Sequence, residues 1–189
     1  MKKGIFTNFI AFDDAPFPKE HRGNVKLVGV IYAWPRLDGL LIGKVRKDGA
    51  NSALRIIELI KESKFNEHIQ LVMLQGVSVA GFNVVDANLI HQTLNRPVLI
   101  VARNKPEPEK MKKALLNKIP GGQKKWKLVE KLGPMEPCGH CYIQRIGISK
   151  EDAQKVVECT TLYGHIPEPL RIAHLIAGAL ITGVSSGRV

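Results

Sequence analysis

The chain has 189 residues, 44% hydrophobic and 24% charged, which is enough apolar material to bury a core in one domain spanning 1–189 and excludes a disordered chain. Its formal net charge is +11, and three cysteines are too few for the disulfide framework of a small secreted protein. No apolar run reaches the roughly 18 residues of a membrane span, and the basic start Met1–Gly4 lacks the apolar segment of a signal peptide, so a cytoplasmic protein is expected.

Asn8–Asp13 is a short apolar run ending in acid and reads as a strand. Val25–Trp34 and Gly39–Arg46 flank a Pro-Arg-Leu-Asp-Gly turn and read as a hairpin. From Asn51 to Lys64 the period changes: Leu54, Ile57 and Ile60 fall at helical spacing, with Asn51 or Ser52 as the cap. Ile69–Gln75 is continuously apolar, as in a strand buried on both faces. A loop follows over 76–82, and Asn83 with Asp86 three residues later predicts the start of a helix running to Leu94. Pro97–Arg103 is a second buried strand.

Glu107–Lys118 is helical, with Pro108 in its first turn, and Pro120-Gly121-Gly122 breaks it. Tyr142–Ile148 reads as a strand. Ser149 and Asp152 open a helix with Ala153, Val156, Val157 and Thr160 along one side, and a last helix runs from Pro167 or Pro169 to about Thr182. Strands joined by short turns pair antiparallel and strands joined through helices pair parallel. The order therefore predicts an α/β fold of ribonuclease H-like type: a mixed five-stranded sheet, three antiparallel then two parallel strands, flanked by helices.

The charge is uneven. Lys105–Lys131 holds nine lysines against three acids, while the stretch after Lys131 is balanced. Such a segment is either a polyanion-binding face or a solvated surface. On the first reading Lys112, Lys113, Lys124, Lys125 and Lys127 meet phosphates while Trp126 stacks on a base. On the second, Trp126 anchors a surface segment to the core.

Cys138-Gly-His-Cys141 supplies half of a zinc site, with no second C-x-x-C to complete it, so ordinary thiols or a local disulfide are preferred to zinc or redox chemistry. His174, on the apolar last helix, reads as a core histidine, and Glu168 and Arg171 are placed to pair within one turn. The phosphate loop GxxxxGK[ST], the dinucleotide fingerprint GxGxxG and the nucleophile elbow GxSxG are all absent.

The segments FDDAPF (Phe12–Phe17), QGVSVAGFNVVD (Gln75–Asp86) and IPEPLRIAHLIAGAL (Ile166–Leu180) resemble an archaeal family of unknown function that is remotely related to endonuclease V. GISKEDA (Gly147–Ala153) sits before the last helices, as its endonuclease V counterpart does. The resemblance implies nucleic-acid binding and phosphodiester cleavage with magnesium or manganese held by carboxylates. It implies Asp13 as the main metal ligand and catalytic acid, because Asp13 and Asp14 point to opposite faces of a regular strand. A strand-end or turn role for the pair stays open.

The catalytic set departs from the family pattern. Gln75 stands where endonuclease V has an acid, so it would be a neutral metal neighbour. The third-strand acid falls on Val45, or on Asp48 with an insertion, making Asp48 the second candidate ligand and catalytic residue. The family's histidine lands near Arg145 or Ile146, and the wedge turn, Pro35-Arg36-Leu37-Asp38, lacks its aromatic. Asn83 and Asp86 form a further polar site or merely a helix cap. The expectation is a nucleic-acid-binding protein with weak or lost cleavage; the alternative is a catalytically inert partner-binding or assembly protein.

Overall fold

The computed structural model describes residues 6–185, so the basic start at Met1–Gly4 lies outside them. Three consecutive strands, β1 (Asn8–Asp14), β2 (Asn24–Ala33) and β3 (Arg36–Arg46), form an antiparallel meander. The next strand, β4 (Leu71–Gln75), returns through helix α1 (Ser52–Lys61) and pairs parallel with β1. Between β4 and the next sheet strand lie a two-stranded hairpin, β5 (Ser78–Val79) with β6 (Asn83–Val84), and helix α2 (Ala87–Leu94). Strand β7 (Val98–Ala102) then pairs parallel with β4.

Beyond β7 the chain forms helices α3 (Pro108–Lys118) and α4 (Gly122–Leu132), strands β8 (Glu136–Cys138) and β9 (Cys141–Ile146), and helices α5 (Lys150–Thr160) and α6 (Glu168–Thr182). The sheet has seven strands in the order β3-β2-β1-β4-β7-β9-β8, not the expected five. Of the two further members, β9 answers to the strand expected at Tyr142–Ile148 and β8 was not expected; the Cys138–Cys141 stretch is the hairpin turn that joins them. Gly139 takes φ 59, Cys138 lies opposite Cys141, and β9 continues antiparallel onto β7.

Strand alternation divides the core into two layers. Phe9, Ala11, Met73, Leu99 and Val101 face α5 and α6, where Ala153, Val156, Leu170, Ala173 and Ala177 are buried. Ile10, Phe12, Val72, Leu74 and Ile100 face α1 and α2, with Ile56, Ile57, Ile60 and Ile90. Both layers are filled, which is why β4 and β7 read as unbroken apolar runs. Close approach fixes part of the packing: a Cβ on Gly29 would lie 2.6 Å from the Phe12 ring, opposite it in β2.

Local expectations were revised at two helix starts. Asn83 lies in β6, and Asp86 alone caps α2, accepting a hydrogen bond from the Leu89 N–H at 3.0 Å. The first N–H of α1, on Ser52, donates to the Asn83 Oδ1 at 3.2 Å rather than to a neighbouring cap. The Lys-rich stretch is also ordered, as α4 stacked on α3 around Leu115, Val129 and Val84. No helix among the described residues is long and apolar enough to cross a membrane.

Candidate active site

Strands β1, β4 and β7 run parallel and end at one edge of the sheet, where open α/β folds place their ligands. Asp13 and Asp14 close β1. Alternation turns Asp13 toward α6 and Asp14 toward the other face. Asp13 is 7% exposed; its Oδ1 accepts the Asp14 N–H at 2.9 Å, and its Oδ2 accepts from His174 Nδ1 at 2.8 Å. A carboxylate only accepts, so Nδ1 carries the hydrogen there. The hydrogen bond to Asp13 raises the pKa of His174 above the ordinary imidazole value, against the opposing effect of burial.

Asp14 behaves differently. Burial, then the neighbouring charge of Asp13, pushes its carboxyl up to about 7, while a hydrogen bond from the Ala80 backbone and the nearby His174 oppose the rise. The two carboxyls share a strand end but not a setting: Asp13 holds a histidine on one face, and Asp14 is buried on the other.

Gln75 ends β4, one position beyond the Phe12–Leu74 pairing, on the same face as Asp13. Its Oε1 is buried and has no hydrogen-bond partner among the described residues. Gln75 and His174 line a cavity of about 250 Å³ together with Val101, Arg103, Asn104 and Leu170. Across α6 from it, a groove of about 320 Å³ is bounded by Ala15, Phe17, Lys26, Lys44 and Ile181. Leu170, His174 and Ile181 share one stripe of α6, so the Asp13–His174 pair sits between the two hollows.

The remaining candidates do not gather here. Asp48 lies just beyond β3 at φ 52; its N–H donates to the Ala80 carbonyl at 2.9 Å and its Oδ1 accepts from the Phe82 N–H at 2.8 Å. It fastens the 80–82 loop, and no hydrogen bond or ion pair among the described residues joins it to Asp13. Val45 is fully buried in the α1 layer. Asn83 is fully buried, donating to the Arg46 carbonyl at 2.8 Å and to Asn51 Oδ1 at 2.9 Å, so Asn83 and Asp86 serve helix starts.

The basic face is also narrower than the sequence implied. Lys113, Lys124 and Lys127 are exposed, but Lys125 is buried at 5% exposure and donates to the carbonyls of Asp48 and Phe82. Trp126 packs between α3 and α4 with Lys112 Nζ 5.3 Å from its ring centre, which makes it an anchor. Cys138 and Cys141 are buried free thiols; Cys141 donates to the Cys138 carbonyl and, by hydrogen bonding its sulfur, lowers the Cys138 pKa. No group of three or more His, Cys, Asp or Glu side chains capable of holding a metal occurs among the described residues.

Arg145, near which the family's histidine was expected, pairs with Glu136 at 3.2 Å. His174, read from sequence as a core histidine, is half-buried on α6 and finds its partner in Asp13. The signal was there: a single imidazole on a stripe otherwise apolar, one turn after Leu170.

A UPF0215 protein of Deinococcus radiodurans is 47% identical over 179 residues, covering 95% of this chain and 91% of the relative. A crystal structure of a protein of unknown function from Archaeoglobus fulgidus superposes with a TM-score of 0.86 at 32% identity, over 93% of this chain and 99% of that one. Archaeal and bacterial members both occur, so the family is broader than the archaeal one expected. Endonuclease V of Ciona intestinalis, solved with a 24mer DNA containing an inosine followed by a ribo-adenosine, has a TM-score of 0.56 at 19% identity. It covers 89% of this chain and 83% of that one, a likeness of fold. Over residues 6–181 the sequence matches the family described as Endonuclease dU, and the chain belongs to that family.

Proposed function

We propose that this protein cleaves nucleic acid at deaminated bases, deoxyuridine foremost, with Asp13 and His174 as its catalytic groups. The observation that carries the reading is the 2.8 Å Asp13–His174 contact beside an open cavity at the carboxyl ends of three parallel strands. The family description names an endonuclease and dU, and the endonuclease V fold supports the same class of substrate.

The donor set suits a hard divalent cation. Asp13 offers carboxylate oxygens at the end of β1, while Asp14 lies on the other face of the strand, where burial and then the charge of Asp13 raise its pKa. Asp13 would hold magnesium or manganese; when bound, the ion polarises the phosphodiester and makes water a better nucleophile. His174, oriented by Asp13 and protonated more readily than a free imidazole, carries a proton at its second ring nitrogen toward a departing oxygen. The exposed lysines of α3 and α4, Lys113, Lys124 and Lys127 among them, bind phosphates along the flanking strand.

The test is cleavage of labelled strands carrying deoxyuridine, inosine or neither, in magnesium or manganese, beside Asp13→Asn and His174→Ala. Cleavage at the deaminated base that Asp13→Asn abolishes is the expected result. No cleavage above that control would overturn the reading in favour of an inert, partner-binding protein that keeps the fold.

A further inference from the structure

We infer that two copies of this chain associate through β3, whose outer edges pair antiparallel about a two-fold axis at Leu41 to make one continuous sheet. Among the described residues the sheet ends at β3 on one side and at β8 on the other. Strand β8 has three residues and β3 has eleven, and an exposed edge of that length is a template for another strand. One face of β3 is covered. A Cβ on Gly39 or Gly43 would lie 2.3 Å from the Phe65 ring or 2.6 Å from the Leu59 side chain. The other face is bare: Leu40 and Ile42, opposite Val30 and Val28 of the α6 layer, are 45% and 52% exposed. Ile181 of α6, also exposed, borders a groove with Lys44 and extends this apolar strip.

The backbone of β3 limits the registers open to a second strand. Lys47 donates its N–H to the Gly23 carbonyl at 2.9 Å, one step past the Asn24–Arg46 pairing. Residues alternate along an antiparallel ladder, so Leu41, Gly43 and Val45 turn their N–H and C=O toward β2, while Leu40, Ile42 and Lys44 turn theirs outward. Arg46 follows the same alternation, and its outward N–H and carbonyl are taken by the side chains of Asn51 and Asn83. Two copies of β3 can therefore pair only where outward residue meets outward residue.

A two-fold axis at Leu41 satisfies that condition. It sets Leu40 opposite Ile42 and the exposed Asp38 opposite the exposed Lys44, once on each side of the axis. Moving the axis to Leu40 would put Asp38 against Ile42, and moving it to Ile42 would put Lys44 against Leu40. Of these three registers, only the one centred on Leu41 matches acid with base and apolar with apolar. On a lone edge such charges discourage pairing with other strands; here they select a second copy of the same one. Arg36 and Arg46 fall opposite each other at the far ends, where Arg36 is held by Asp38 of its own chain at 2.9 Å. A self-complementary surface is what a closed two-fold dimer requires. The two β1 strands then point in opposite directions, so the two Asp13 sites open at opposite ends of the shared sheet.

Sedimentation equilibrium at low salt, over micromolar protein concentrations, tests this on the wild type, Asp38→Lys, Lys44→Asp and the double variant carrying both changes. The wild type is expected to be a dimer. Each contact occurs twice, so one reversal replaces two opposite-charge pairs with two like-charge pairs and should weaken association about tenfold or more. The double variant sets base opposite acid again and should recover the wild-type dimer. Both side chains are exposed, so the fold is not at risk, and melting temperatures verify it. A wild type that stays monomeric overturns the inference and leaves the apolar strip to a different partner. A dimer indifferent to the single reversals has its interface elsewhere. Single reversals that the double variant fails to rescue place β3 in another register, and either result overturns the pairing.

Discussion

Asp13 and His174 stand 161 positions apart in the chain and meet at 2.8 Å where α6 crosses β1. The contact depends on where α6 begins. Pro167 precedes its first turn, Pro169 lies within it, and Arg171 grips Glu168 through two hydrogen bonds of 2.7 and 2.6 Å. From that start, Leu170, Ala173 and Ala177 are buried against the sheet, and His174 projects along the flank of the buried stripe onto the end of β1. The site is therefore a product of helix docking as much as of β1 itself.

Removing the imidazole leaves the Asp13 carboxylate nearly buried with only the Asp14 N–H. His174→Ala should lower the unfolding free energy by about 1–3 kcal/mol. In combination with Asp13→Asn the losses should fall short of additive, because each variant already breaks the same contact. Urea titrations of the two single variants and the double variant measure this directly. Fully additive losses would show that the contact contributes nothing to stability. On the proposed chemistry His174→Ala also slows cleavage by about 100-fold or more.

The two perturbed groups give a pH dependence of one sign. His174 has a raised folded pKa, so its pairing stabilises fully below the unfolded imidazole value of about 6.5 and is lost as pH rises through the folded value. The fold favours the neutral form of Asp14, whose pKa rises from 3.8 to about 7, so the native state binds more protons across that interval and stability falls as pH climbs through it. Metal-free protein should thus melt at a lower temperature at pH 8 than at pH 5.5. Asp14→Asn should regain about 2 kcal/mol at pH 8 and little near pH 4. A flat profile of melting temperature in EDTA would contradict both assignments.

Lysines six residues or fewer apart should separate into two kinds. Lys125 is buried, burial lowers its pKa, and its ammonium links α4 to Asp48 and Phe82. Lys125→Met should cost stability, roughly 1–3 kcal/mol, because two buried carbonyls lose their donor. Lys124→Met and Lys127→Met should leave the melting temperature within about a degree or two and weaken nucleic-acid binding, each reducing the slope of log K against log salt by about 0.7 on single strands. Thermal melts and salt titrations read the two effects independently. An identical response from all three variants would remove the distinction.

Much of this architecture is legible in local sequence. The start of α5 at Ser149, the span of α6 and the parallel strands β4 and β7 all follow from caps, prolines and unbroken apolar runs, which act over a few residues. Asp13 was marked by an acid ending an apolar strand. What escaped the sequence depends on distant partners. His174 looks like any core histidine until β1 arrives beneath it. Asp48 looks like a spare carboxylate until Phe82 and Ala80 close around it. Lys125 is indistinguishable from Lys124 until the turn of α4 points one inward and the other out. Strand β9 was expected, but β8 and the turn between them were hidden because Cys138-Gly-His-Cys141 invites a chemical reading, whereas Gly139 at positive φ makes it a turn.

The proposed cation should compete with the proton on Asp14. If it lies on Asp13, its charge offsets the repulsion that helps hold the Asp14 carboxyl at about 7. Magnesium should then raise the melting temperature more at pH 8, where the carboxyl is ionised, than at pH 6, where binding must first expel the proton. At a ligand concentration about 100 times the dissociation constant the gain is roughly 2.7 kcal/mol, several degrees for a chain of this size. Asp14→Asn should abolish the pH-dependent part of that gain. No effect of magnesium at pH 8 in the native protein would remove the cation from Asp13.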